Sequence, residues 1–551
     1  MSALEKVGRD VFYRKSGSSF AWGVKRRSEL ERLQSSSQEI QAARPSWIAI
    51  NRLLSRVWFT RLWVLQEIGL ASDAVVTVGK QEMPWDLLRG ALLWLERRGR
   101  SILSDFLDEK IIAQLSPLTI QKYSCALVNM TSFAMHTHCF DPRDRIYGVL
   151  SLLNRRVAAL ITPDYFRPAN QVYTDAVLAE IEGYESLNIL QLCTFPDENE
   201  NGDGDGDGDG TSTSTSTSTS TSLDLLQLCT PPHEISAPLI QRPSWVPDFS
   251  NPASFRKFTV HSRAAGVSQP KTNYDPAEGT LSIRGRLIDT VSCVSAHMPM
   301  DGTVTDAIKM CRKWEPVDAD TADSVAGGLL RESFVTSILA DYSRSILFSA
   351  KRRNPTIPDL MVEYNRLVST DKSNNQASSQ VAREVHAFLK GRAMFRTKKG
   401  YLGICTASTR VGDQVCIALG CLDPLMLRPN SSVKGYHQVG GACFVSGLEY
   451  GAGLLGPLPS GWKHTWLLIN GSASIEFRSP EGKETQLDPR AGPVPARWNV
   501  HHAVVGENGR SGNKKMYFEN VETGDKLCDD PRLTSENLKT LGIELEDIVL
   551  V

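Results

Sequence analysis

In the run SRVWFTRLWVLQE, residues 55–67, a single carboxylate, Glu67, follows two tryptophans and two arginines. Arg56, Thr60, Trp63 and Glu67 are spaced by four, three and four residues, which on a helix puts them on one face with Trp63 and Glu67 a turn apart. A carboxylate held against an indole is desolvated, and one whose pKa rises for that reason can serve as acid, base or electrostatic stabiliser. The competing reading pairs Glu67 with an arginine and puts the tryptophans in the core, since structural ion pairs perturb pKa values just as active sites do.

A second cluster lies in CFDPRDRIYGVLSLL, residues 139–153. Asp141 is placed to cap a helix, Pro142 suits its first turn, and Asp144 stands where a capping-box acid reaches back. Arg143 and Arg145 have no capping role, so they are candidates for an anion or for a distant carboxylate such as Glu67, against the plainer reading of local or solvated charges. In MHTHC, residues 135–139, His136, His138 and Cys139 crowd together, but a closed zinc site takes four ligands and no second cluster is evident. No metal is expected. Phosphate-loop, nucleophile-elbow and zincin patterns do not occur, and GDGDGDGDG lacks the hydrophobic and loop-closing positions of a calcium repeat.

These residues need elements to hold them. Ile50, Leu53, Leu54, Val57, Leu62, Leu65 and Ile68 recur at helical spacing and predict one helix over 47–70. Ala74 to Gly79, AVVTVG, predicts a short strand, and GTLSIRGRLIDTVSCV, residues 279–294, alternates like a strand pair. A helical middle is predicted over roughly 306–390. Residues 391–451 show short β runs broken by Gly, Asp and Pro at hairpin spacing, which predicts a small antiparallel sheet or barrel.

With 551 residues the chain exceeds one core. A formal charge of -1 gives no global field to draw nucleic acid or an anionic membrane. The eleven cysteines are odd in number, scattered and never spaced C-x-x-C, which argues against a disulfide framework and a zinc ribbon. With no signal peptide and no apolar run long enough to span a bilayer, the chain reads as intracellular, with no membrane span.

The composition divides the chain into an atypical segment 1–44, a helical unit 45–195, a low-complexity loop 196–225, an α+β region 226–390, a β-rich unit 391–455 and a tail 456–551. The Gly/Asp and Ser/Thr repeats of the loop cannot bury enough apolar surface to offset ordering, so disorder is expected there. In the tail, residues 457–490 and 495–532 each run from a Pro-flanked Trp to Asp-Pro-Arg, which suggests two copies of one module.

PSWIAINRLLSRVWFTRLWVLQEIGLA, VVTVGKQEMPWDLL, DPRDRIYGVLSLL and ITPDYFRPANQVYTDAV, in that order, resemble the later half of the heterokaryon incompatibility (HET) domain of filamentous fungi. Arg56, Trp58, Arg61, Trp63, Gln66, Glu67, Gly79, Trp85, Asp141, Arg143, Asp144, Tyr147, Asp164 and Tyr165 carry the likeness. RPSWVPDFS, LSIRGRLIDTV and the segment from Gly391 resemble stretches found on the C-terminal side of that domain in large fungal proteins. The family's earlier motifs, a Tyr-x-Trp-Gly strand, a Cys-Ile-Asn-Gln segment and a Trp-Leu-Gly strand, are echoed only by SSFAWG, residues 18–23. The chain would thus hold part of a domain, through a truncated gene model or a degenerate paralogue.

The resemblance implies an α/β fold, a partial TIR-like domain that is mainly helical as present, followed by an α+β region with a small antiparallel β unit. It implies a cytoplasmic protein of self/non-self recognition and programmed cell death that works through an incompatibility partner or self-assembly, with no cofactor. By analogy with TIR domains that cleave NAD, Glu67 would be the catalytic carboxylate, Trp63 a pocket wall and NAD a substrate only. An inactive remnant is the third reading. The tail copies resemble degenerate WW modules in which Leu487, and Cys528 or Asp529, stand where a ligand-gripping second Trp belongs.

Overall fold

The computed structural model describes residues 11–16, 19–24, 44–98, 111, 118, 125–134, 136–195, 242–251, 262–343, 355–369, 379–469, 472–504 and 514–551. The loop expected to be disordered, at 196–225, and much of segment 1–44 lie outside them. What is described is a mixed α/β structure with several small antiparallel sheets.

β1 (Val11–Ser16) and β2 (Ser19–Val24) form a hairpin. The first helical unit then runs through α1 (Arg44–Leu54), a 3-10 turn at Val57–Thr60, α2 (Trp63–Leu70), β3 (Val75–Val78), β4 (Gln81–Pro84), α3 (Trp85–Arg98), α4 (Leu127–Ala134), α5 (Asp144–Tyr147), α6 (Arg155–Ala159) and α7 (Ala169–Tyr184). Gly79, at φ +64, makes the tight β3–β4 turn that a side chain would strain. No parallel sheet occurs among the described residues of this unit.

The single helix expected over 47–70 is broken. Arg56 and Arg61 are extended, with ψ of 142° and 129°, on either side of the 3-10 turn. Between them lie Val, Trp, Phe and Thr, all poor helix formers. Their backbone finds partners elsewhere, since Leu62 N–H donates to the His138 carbonyl (2.9 Å) and His138 N–H to that of Thr60 (2.6 Å). The apolar spacing was still informative, because Leu54, Phe59, Leu62 and Leu65 are all buried.

Downstream, β5 (Thr272–Asp275) leads into β6 (Thr280–Val294), and the described residues that follow include α8 (Val304–Trp314), α9 (Leu330–Ile338), α10 (Ile357–Val368) and α11 (Gln380–Leu389). Capping boxes start two of them, at Thr303/Asp306 and Thr356/Asp359. Their apolar faces meet in a core of their own, with Met394, Ile404 and Phe444 from the sheet as its floor.

That sheet adds β7 (Arg392–Thr397), β8 (Leu402–Thr406), β9 (Gln414–Ala418), β10 (Leu425–Pro429), β11 (Tyr436–Ala442) and β12 (Phe444–Val445), and, from the end of the tail, β19 (Glu546–Leu550). The strand pair expected at 279–294 is instead one 15-residue strand, β6, with irregular register near Leu287/Asp289 and Val291/Cys293. These bulges bend it, so its first part pairs with β5, β9 and β19 and its last part with β7. Nor do the strands of 391–455 form a sheet of their own. β6, β9, β10, β11 and β19 pair in a ring, with β19 antiparallel to β6 and parallel to β11.

The ring and the first helical unit share one apolar core, in which Leu54, Leu152 and Val177 join Leu281, Leu425 and Ile548. Gly441, at φ +84, lies so close to the Cys193 carbonyl that a Cβ would approach to 2.3 Å. The strap 242–251 closes the joint: Trp245 is fully buried, and Ser244 N–H donates to the Val551 carbonyl at 2.8 Å.

After α12 (Ala452–Leu455), the tail forms two three-stranded antiparallel sheets. The first is β13 (Lys463–Ile469), β14 (Ser472–Arg478) and β15 (Glu484–Thr485); the second is β16 (Trp498–Val504), β17 (Lys514–Asn520) and β18 (Lys526–Leu527). Their registers match, with Phe477↔Thr485 and Arg478↔Glu484 in one and Phe518↔Leu527 and Glu519↔Lys526 in the other. α13 (Ser535–Thr540) then leads to β19. No helix among the described residues is long and apolar enough to cross a membrane.

Candidate functional site

The motif residues converge at the start of α5. Asp141 Oδ1 accepts from the backbone N–H and Nε of Arg143, both at 2.9 Å, and its Oδ2 accepts from Nη2 at 2.7 Å. The hydrogen bonds from this guanidinium lower the Asp141 pKa. Proline between them fixes the backbone so that the arginine folds back on the aspartate. The remaining Nη1 of Arg143 donates to the carbonyls of Tyr165 and Arg167 and so fastens a second loop to the turn.

Asp144 is not the capping-box acid expected from its position. α5 has only four residues and no side-chain cap, and the Asp144 carboxylate turns into the protein. There Oδ2 accepts from the Trp63 indole at 3.1 Å and Oδ1 from the Tyr165 hydroxyl at 2.7 Å, with Asp144 only 9% exposed. Burial of its hydroxyl and the adjoining carboxylate raise the Tyr165 pKa. Tyr147 lies edge-on to Tyr165, and its hydroxyl accepts from Asp164 N–H and donates to the Asp164 carbonyl.

Glu67 is elsewhere. Its side chain is exposed, and it forms no hydrogen bond or ion pair with a described residue. Trp63, at the start of the helix, reaches Asp144 with its indole, and Glu67 a turn later lies in solvent. Neither Arg143 nor Arg145 contacts it, since Arg145 Nη1 donates to the carbonyls of Thr137 and Ala134. Trp63 is thus bonded to Asp144 while Glu67 is exposed.

The other motif residues serve as frame. Trp58 lies edge-on to Trp85, with centroids 5.9 Å apart, and Trp85 N–H donates to the Ala74 carbonyl. Gln66 donates to Ser151, while Arg56 and Arg61 are exposed. His136, His138 and Cys139 form no metal-binding group, and no such group of three or more occurs among the described residues. A cavity of about 260 Å³ between α7, the 420–422 turn and Asp529 includes none of the motif residues.

One buried acid escaped the sequence. Glu180 is 3% exposed and accepts from the amides of Leu127 and Val128, holding the open end of α4. A lone acid on the otherwise apolar AVLAEI face was the available signal. The Asp-Pro-Arg turn also recurs twice in the tail with the same bonding. Arg490 Nε and Nη2 reach Asp488 at 2.9 and 2.7 Å, and Arg532 reaches Asp530 at the same two distances.

No family model, curated protein or solved structure matches the chain. The chemistry of the site therefore rests on its own geometry. Asp144 accepts from two neutral donors, one on each oxygen, and its exposure is small. Such a group ties three segments together.

Proposed function

We propose that this chain is a fungal HET-domain protein of self/non-self recognition and programmed cell death, acting in the cytoplasm through assembly with a partner rather than through turnover. The observation that carries this reading is the Trp63–Asp144–Tyr165 cluster. It joins residues of three separate motif segments into one bonded unit. Motif residues that act as a keystone suit a module whose output is a shape offered to a partner. The tail sheets are read as degenerate WW modules, with Leu487, and Cys528 or Asp529, in place of a gripping aromatic.

NAD cleavage by Glu67 is the alternative, and it lacks the desolvated carboxylate such chemistry needs. Induced expression of the chain beside Glu67→Gln and Asp144→Ala, scored for viability and cellular NAD, separates the two. Death without NAD loss, unchanged by Glu67→Gln and abolished by Asp144→Ala, is expected. NAD loss that Glu67→Gln abolishes would establish the enzyme, and no death from any form would establish an inactive remnant.

A further inference from the structure

From Arg44 to Gln66 the chain carries four arginines and no aspartate or glutamate. Arg52, Arg56 and Arg61 are exposed and form no ion pair with a described residue. Between the last two, Val57 is 74% exposed on the 3-10 turn. At the end of this turn the backbone of Thr60 and Leu62 pairs with His138, two residues before Phe140, which is 72% exposed. The Arg143 guanidinium then ties the Asp141 turn to the Tyr165 carbonyl, next to which Phe166 is wholly exposed. An Asx turn on Asp164 fixes the Phe166 amide at 2.9 Å, so this ring is presented by an ordered loop.

We infer that the surface formed by Arg56, Val57, Arg61, Phe140 and Phe166 docks an acidic segment of a partner protein that also bears an aromatic or branched apolar side chain. Exposed apolar side chains grouped on a rigid frame mark contact sites, and aromatic residues with arginine dominate binding energy at such sites. The uncompensated arginines set the sign of the partner's charge. A peptide fits better than a nucleic acid, because the chain carries no net positive charge to gather phosphates and the apolar anchors include an aliphatic one. The inference rests on the signalling reading for its biological meaning, but its binding test needs no cell death.

The test uses the purified full chain and fluorescence anisotropy with three labelled probes: a short peptide alternating glutamate pairs with single phenylalanines, the same peptide with lysine for glutamate, and a single-stranded DNA of similar length. Only the acidic peptide should bind, more weakly as salt rises. Arg56→Glu with Arg61→Glu, and separately Phe140→Ser, should each weaken it at least about tenfold. These side chains are exposed and outside the core, so unchanged melting curves should show that the variants fold. Equal binding of the lysine peptide, preferential binding of DNA, insensitivity to the variants or absence of binding would each overturn the proposal. Concentration-dependent self-association lost in the same variants would also overturn it, in favour of a second copy as the occupant.

Discussion

Trp63 and Glu67 stand one turn apart on the same short helix, yet only the tryptophan is drawn inward. Asp144 makes the difference, since it offers the indole an acceptor and offers Glu67 only repulsion. Replacing Asp144 with Ala strands a half-buried indole N–H and a phenol, which should cost about 2 kcal/mol. Glu67→Gln should stay within about 0.5 kcal/mol of the parent. Urea unfolding followed by tryptophan fluorescence checks both, and equal effects would refute the keystone role of Asp144. The residue types of this site were legible in the sequence, but the pairing was not. Trp63 and Asp144 are 81 positions apart, and local spacing offered Asp144 a capping role that sufficed without a distant partner.

At the scale of elements, periodicity reported burial faithfully and backbone state less so. Leu54, Leu62 and Leu65 face the core as a single helix would have them, although the chain between is extended and 3-10, because pairing with His138 replaces the helical bonds. Likewise the alternation of 279–294 marked β structure, but a bend by bulges leaves the same trace as a turn between two strands. The tail repeat was readable because each copy carries its own terminal landmark. Arg532 is 3% exposed, and beyond Asp530 it donates to the carbonyls of Asp488 and Gly492, so one guanidinium joins the two copies. Lysine keeps the charge but not the fork, and Arg532→Lys should cost about 2 kcal/mol and lower the melting temperature, whereas Lys463→Ala on the exposed edge should not. Equal melting temperatures would refute the joint.

Over the whole molecule, two buried groups give stability opposing dependences on pH. Burial holds the His437 pKa below its ordinary value, so the ring is neutral in the fold, with Nε2 beside Gln414. As pH falls below about 6.5 the unfolded chain takes up the proton first, and the stability that His437 contributes at higher pH is lost. Burial raises Glu449 to about 7, so the folded state holds that proton, and its contribution, full below about 4.5, is lost as pH rises through 7. Glu449→Gln removes the second dependence, so its melting temperature should drop more steeply than that of the parent between pH 7 and pH 5. Parallel slopes would refute the assignment.

The ring of five strands bears on how the protein comes into being. β11 and β19 are neighbours in space, but both tail sheets are made between them, so at about 5–20 residues per second the ribosome leaves the barrel open for roughly five to twenty seconds. During that interval the flanks of β6 and β11 are unpaired edges over an unfinished core, which makes them natural clients for a chaperone. The tail sheets, whose contacts are local, are free to fold in the meantime. A released chain truncated just before Glu546 would therefore display a finished tail on an unclosed barrel.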